Sequence, residues 1–167
     1  IVLCIGNGAL ENGTNINLLK WQKGFETNLF CSINIVNNLL KVVREGGSII
    51  FINSICGLYR VGASPIYSCA KSALKVYADD LAAKLGSRAR VNSIYPGNIL
   101  CEGNSWDRKL KSDREGTLKY ISDNVPLNKF IYPEEIASLI EYLSDLTTSI
   151  TGANITIDGG QSAKNNV

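Results

Sequence analysis

Ser48-Ile49-Ile50-Phe51-Ile52-Asn53 is a near-continuous apolar run between Gly46-Gly47 and Ser54, and it narrows what this chain can become more than any other stretch. A strand with one wet face alternates polar and apolar residues, whereas a strand covered by helices on both faces has no reason to alternate. The flanking segments supply such helices. Upstream, Leu18, Trp21, Phe25, Leu29, Ile33, Val36, Leu40 and Val43 recur at steps of three and four, which predicts a long amphipathic helix stopped by Gly46 and Gly47. Downstream, Ser64-Pro65 supplies an N-cap and an N1 proline, and Gly86 a C-cap, for a second helix. Apolar runs over residues 1–5 and 89–95 predict two further strands. Residues 104–125 are polar with helical stretches, Pro133 opens a helix to about residue 146, and residues 154–158 give a last short strand. Strand alternating with helix implies an α/β fold with a parallel sheet.

In such sheets ligands bind beyond the carboxyl ends of the strands. Gly6 to Gly8 follow the first strand, Ser54 the second and Pro96-Gly97 the third, so these residues are expected along one sheet edge. Taken alone, Ser54 and Pro96-Gly97 are ordinary turn residues. Tyr67 and Lys71 change their meaning. An i,i+4 step puts the phenol and the ammonium on one helix face, and a cation there is expected to lower the tyrosine pKa toward the range useful for proton transfer. The chain has no His, so this set is its acid–base device.

With 45% hydrophobic residues and a net charge of +2, the composition fits one globular domain or most of one. Basic residues are scattered among acids, which argues against a nucleic-acid partner, and no apolar run approaches the ~20 residues of a membrane span. Cys4, Cys31, Cys56, Cys69 and Cys101 form no Cys-x-x-Cys pair and, without His, no zinc set. Their odd number argues against a disulfide framework, and a reducing, cytoplasmic setting is expected. Cys69 lies between Tyr67 and Lys71 but has no His to activate it, so a small packed thiol is expected there.

The ordered set resembles the short-chain dehydrogenase/reductases. Their signature of an upstream Asn, a Ser and Tyr-x-x-x-Lys is matched by Asn28, Ser54, Tyr67 and Lys71. Val91-Asn92-Ser93-Ile94-Tyr95-Pro96-Gly97, Pro133-Glu134-Glu135-Ile136-Ala137 and Ile157-Asp158-Gly159-Gly160 resemble later family segments in the right order. Tyr-x-x-x-Lys alone is a weak motif, but the ordered series is specific and covers nearly the whole chain. The region 104–127 looks most like 3-oxoacyl-carrier-protein-reductase-like members.

The resemblance implies the C-terminal part of a doubly wound, parallel-sheet Rossmann fold. It further implies an oxidoreductase that moves a hydride between NAD or NADP and a carbonyl or alcohol substrate. Tyr67 would be the general acid/base, Ser54 would hold the substrate oxygen, Lys71 would lower the tyrosine pKa and hold the nicotinamide ribose, and Asn28 would link Lys71 to a proton path. Gly8, Tyr67, Lys71, Pro96, Gly97, Ile99 and Cys101 would border the cofactor. Departures accompany the match. The family's Asn-Asn-Ala-Gly stretch reads Ile5-Gly6-Asn7-Gly8, and Cys101, a weak hydrogen-bond donor, stands where a Thr is usual. The family's glycine-rich phosphate loop has no counterpart and the chain has no Met, so residues 1–167 are expected to be a partial dinucleotide-binding domain, N-terminally truncated and inactive alone. Homodimers or homotetramers through the helices at Asn28 and Tyr67 are implied. Residues 100–125 are expected to form a substrate-side lid, with Trp106 either lining the pocket or packed beneath a charged helix. Two alternatives stay open: a non-catalytic interaction or structural subunit on the same fold, and a sugar-nucleotide epimerase or dehydratase, for which the residues after Lys71 leave little room.

Overall fold

A computed structural model describes residues 1–164. The apolar run forms strand β2 (Gly47–Ile52), which pairs in parallel with β1 (Val2–Leu3) on one side and β3 (Ala89–Pro96) on the other. Strand β4 (Asn154–Ile157) joins β3, so the order across the sheet is β1-β2-β3-β4. Alternate residues of β2 serve different cores. Ile49 and Phe51 pack with Leu3, Leu29, Leu74 and Val91, whereas Ile50 and Ile52 pack with Ile94, Ile136 and Leu143. Both faces are dry, and this is why the run shows no polar alternation.

The first face is covered by α1 (Leu18–Phe25), a π-turn (Glu26–Phe30), α2 (Cys31–Leu39) and the long α3 (Pro65–Leu85). After β3 the chain makes an excursion through α4 (Ser105–Ser112) and α5 (Arg114–Asn124) before α6 (Pro133–Ser144) covers the second face. A short α7 (Gln161–Lys164) follows β4. The fold is the doubly wound α/β arrangement expected from the alternation of elements.

Differences at the ends of elements come from contacts distant in sequence. The first helix was expected to run to Val43 but ends at Leu39, where the N–H groups of Val42 and Val43 fold back on the Leu39 carbonyl at 2.9 and 3.2 Å and the Arg88 guanidinium takes the Leu40 carbonyl. Asn17 caps α1 by accepting from the Leu19 N–H at 2.8 Å, while Leu18, expected on the apolar stripe, is 70% exposed. Ser64 precedes α3 as expected, yet its hydroxyl donates to the Glu11 carbonyl at 2.6 Å instead of capping the helix. Gly86 closes α3 with φ at 52°, a conformation that favours glycine. The strand expected over residues 1–5 keeps only two, because the Ile5 carbonyl leaves the sheet to meet the Lys71 ammonium.

Contact between α1 and α3 depends on Gly24, where a Cβ would lie 2.2 Å from Ile66 Cγ2. Ile66 is 1% exposed and β-branched, so it has nowhere to go. Gly24→Ala is therefore expected to cost about 1–3 kcal/mol as overpacking, while Gly13→Ala, which meets nothing within 4 Å, leaves the denaturation midpoint in place. Equal midpoints for the two variants in urea would refute this packing account.

Candidate active site

Parallel strands put all their carboxyl ends on one edge, and the loops leaving β1 and β2 meet the second turn of α3 there. At the centre is Lys71. Its side chain is 1% exposed, and its Nζ donates to the carbonyls of Ile5 at 3.0 Å and Ile52 at 3.3 Å. Burial lowers its pKa to about 8, with the nearby Cys4 and Cys56 thiols acting in the opposite direction. An ammonium has three N–H donors, so one remains uncommitted among the described residues.

Tyr67 lies one turn earlier on the same face, with Lys71 Nζ 5.7 Å from its ring centroid. Burial raises the phenol pKa to about 12, and the Ser54 hydroxyl beside it opposes that rise. This reverses the expectation that the lysine cation pulls the phenol down. The ammonium sits against the ring and gives its protons to two carbonyls, so desolvation prevails.

Ser54 caps the 3-10 turn Ile55–Gly57, its Oγ accepting from the Cys56 N–H at 3.3 Å, which leaves the hydroxyl proton available. Asn28 is wholly buried in the π-turn, where the Cys31 N–H reaches back five residues to the Glu26 carbonyl. Such turns concentrate at functional sites. Its Nδ2 donates to the Gly24 carbonyl at 2.9 Å and its Oδ1 accepts from the Asn7 N–H at 2.7 Å, tying the helix to the loop after β1. Gly6 makes this junction possible. It has φ at 152°, and a Cβ there would lie 2.9 Å from Asn28 Oδ1 and 3.0 Å from Lys71 Nζ. Gly8 stands over the Tyr67 ring, its Cβ position 3.6 Å from Cε1. Asn28, Ser54, Tyr67, Lys71 and Gly8 thus come together.

Pro96, Gly97, Ile99 and Cys101 share the edge but make no hydrogen bond to those residues among the described ones. Gly97 donates its N–H to the Ile157 carbonyl at 2.8 Å and packs on Asp158, whose Cβ lies 2.8 Å from where a glycine Cβ would stand. The Ile99 carbonyl accepts from Asn104 Nδ2 at 2.7 Å, and Cys101 is exposed. Cys69, expected as a packed thiol, is exposed as well, because its position on α3 faces away from the sheet. Trp106 is packed beneath the helical excursion, its ring centroid 5.3 Å from Tyr120 and 5.7 Å from Phe130, with Lys109 Nζ over it at 4.1 Å.

Two residues escaped the sequence reading. Asn53, 5% exposed, donates from Nδ2 to the Lys71 carbonyl at 3.1 Å. Gly57 lets the 3-10 turn touch α3, since its Cβ would sit 2.9 Å from the Lys71 carbonyl carbon. A polar residue directly after a strand buried on both faces was the available signal for Asn53.

Comparison with known proteins bears on this edge. A family model described as Enoyl-(Acyl carrier protein) reductase matches residues 1–162. The chain belongs to the short-chain dehydrogenase/reductase family. Within that family it is 30% identical to the 3-oxoacyl-[acyl-carrier-protein] reductase FabG of Aquifex aeolicus over 149 residues, which cover 87% of this chain and 58% of the relative. The solved structure of L-sorbose reductase from Gluconobacter frateurii, complexed with NADPH and L-sorbose, superposes with a TM-score of 0.87 at 28% identity, covering 96% of this chain and 65% of that one. A 4-hydroxyisoleucine dehydrogenase complexed with NADH superposes with a TM-score of 0.79 at 28% identity, covering 97% and 68%. The chain spans 54% and 64% of the length of two further curated family members. No helix among the described residues is long and apolar enough to cross a membrane, and none of their His, Cys, Asp and Glu side chains gather into a group of three that could hold a metal.

The buried lysine makes stability depend on pH. Its folded pKa, about 8, lies below the ordinary 10.5, so the unfolded chain binds the proton more tightly and stability rises with pH between those values. Tyr67 acts oppositely, with stability lost as pH climbs from its ordinary 10.0 toward about 12. The difference in unfolding free energy between the natural chain and Lys71→Met is therefore expected to move in favour of the natural chain by on the order of 3 kcal/mol from pH 8 to 10.5. A pH-independent difference in urea titrations would show that the ammonium is not desolvated.

Proposed function

We propose that this chain is the catalytic half of a nicotinamide-dependent oxidoreductase that interconverts a carbonyl and an alcohol, with Tyr67 as its general acid/base. The observation that carries the reading is the pairing of a desolvated Lys71 with Tyr67 on one helix face at the strand ends, with Ser54 beside the phenol. The donors fit a nicotinamide nucleoside. Lys71 has an N–H to offer a ribose hydroxyl, the Tyr67 phenol is a second donor, and Gly6 and Gly8 keep side chains out of the space above them. Pro96, Gly97 and Ile99 would border the nicotinamide. Cys101 would offer it a weak donor.

The bound nicotinamide supplies or accepts the hydride. The protein's own residues manage the proton. With its pKa pushed up to about 12 the Tyr67 phenol is protonated at neutral pH, ready to donate to a carbonyl oxygen in the reductive direction. Ser54, whose Oγ accepts from the Cys56 N–H, keeps its own proton to donate to that oxygen. Lys71 would stabilise the phenolate left behind. Asn28 would hold the loop after β1 against Lys71 and so keep a route for reprotonation.

Residues 1–167 would then be one partial dinucleotide-binding domain, acting in the cytoplasm as a homodimer or homotetramer on a small-molecule substrate. Similarity to a 3-oxoacyl-[acyl-carrier-protein] reductase and to an L-sorbose reductase makes 3-oxoacyl thioesters, sugar ketones and simple ketones the first substrates to try. The intact Ser54, Tyr67 and Lys71 set weighs against a non-catalytic subunit.

Nicotinamide absorbance, followed in the full gene product with NADH and NADPH against those substrates, tests the reading. Tyr67→Phe is expected to lower kcat by about 10²–10⁴-fold, the range for losing a general acid, with little change in melting temperature. A Phe variant that turns over normally, or a natural protein that binds neither cofactor, would overturn it.

A further inference from the structure

A buried asparagine, Asn53, lies directly against Lys71. Asn53 directly follows β2, immediately before Ser54, and is 5% exposed. Its backbone N–H is taken by the Ile94 carbonyl at 2.8 Å, so the residue is fixed to β3. Its Nδ2 donates to the Lys71 carbonyl at 3.1 Å, and the preceding carbonyl, that of Ile52, accepts the Lys71 ammonium at 3.3 Å. The last residue of β2 and the one after it therefore hold the same lysine at both ends, main chain and side-chain tip. The far side of this grip is closed by Gly57, whose Cβ position lies 2.9 Å from the Lys71 carbonyl oxygen, and by the Ser72 hydroxyl, which donates to the Gly57 carbonyl at 2.9 Å.

The amide orientation is set by this contact. Flipped, Asn53 would turn its oxygen on the Lys71 carbonyl, acceptor against acceptor. In the observed orientation neither Asn53 Oδ1 nor the hydroxyl of Ser93 on β3 has a partner at hydrogen-bond distance among the described residues. Burial raises the pKa of the Tyr95 phenol and both groups oppose that rise, but the phenol gives its own proton to Asn154 Oδ1 at 2.6 Å. An unpaired buried acceptor works against stability, and an apolar residue of the same shape would avoid it. Retaining the amide makes physical sense if holding Lys71 matters more than the folding free energy lost.

We propose that Asn53 is a positioning residue, fixing the Lys71 turn of α3 to the end of β2 so that the ammonium is held at the Ile5 and Ile52 carbonyls beside Tyr67. This rests on the oxidoreductase reading for its effect on turnover, but the grip itself can be measured without turnover. The ionisable groups around Lys71 are Tyr67 on its own helix, Cys4 after β1 and Cys56 in the 3-10 turn. None of these changes when Asn53 is replaced.

The experiment is 13C NMR of lysine side chains labelled at Cε in the full gene product, with the Lys71 signal assigned by its loss in Lys71→Met. In Asn53→Leu, a near-isosteric change, the turn loosens and water reaches the ammonium. The Lys71 titration is expected to move from about 8 toward the ordinary 10.5. kcat is expected to fall by about 10- to 100-fold, the range for small misplacement of catalytic groups, while the melting temperature holds or rises. Ser93→Ala, which removes the other unpaired group without touching Lys71, is expected to leave both the titration and kcat as they were. Asn53→Ser, too short to reach Lys71, repeats the test should the leucine variant not fold. An unmoved titration in the Asn53 variants, or an equal movement in Ser93→Ala, overturns the proposal. A moved titration in a protein whose Tyr67→Phe variant keeps full activity would sustain the grip and sink the oxidoreductase reading, so the two failures are distinguishable.

Discussion

A single buried ammonium organises this molecule. Lys71 reaches from α3 across the ends of two strands, bonding to the Ile5 carbonyl beyond β1 and the Ile52 carbonyl at the end of β2. Placing a charge at 1% exposure is unfavourable, and the lowered pKa of Lys71 expresses that cost. What offsets it is local backbone polarity. Carbonyls that no longer serve the sheet ladder are free to accept, which is also why β1 stops after two residues.

Around that ammonium the chain makes a series of accommodations. Gly6 removes a Cβ from the space where Asn28 and Lys71 meet, and the π-turn at Glu26–Phe30 swings Asn28 inward so that its two amide ends bridge Gly24 and Asn7. Gly24 lets α1 settle on Ile66, and Gly57 lets the turn after Ser54 settle on Lys71 itself. Each sacrifices either chain entropy or regular helix geometry to bring a polar group within reach.

The elements were legible because their signals are short-range. The unalternating β2, the Pro65 start and Gly86 stop of α3, and the Pro133 start of α6 appear where the sequence puts them. Helix ends were less legible. The long first helix stops at Leu39 because Arg88, 48 residues away, captures the Leu40 carbonyl, and no local pattern announces that. Of the candidate site, Asn28, Ser54, Tyr67, Lys71 and Gly8 were readable as a motif and do converge. Asn53 was not, since its partner is a backbone carbonyl and carries no residue identity.

What the sequence determined by itself is the set of elements and the chemistry available on them: strands dry on both faces, a helix carrying a phenol and an ammonium one turn apart, and no imidazole to compete with them. How that chemistry is tuned depends on packing. The spacing of Tyr67 and Lys71 suggested a cation lowering a phenol pKa, yet packing turns the ammonium toward two carbonyls and buries the phenol, driving its pKa up to about 12. Spacing along a helix is a local property. Desolvation depends on every neighbour that excludes water, and those neighbours come from β1, β2 and the turn after it, distant in sequence and joined only by the fold.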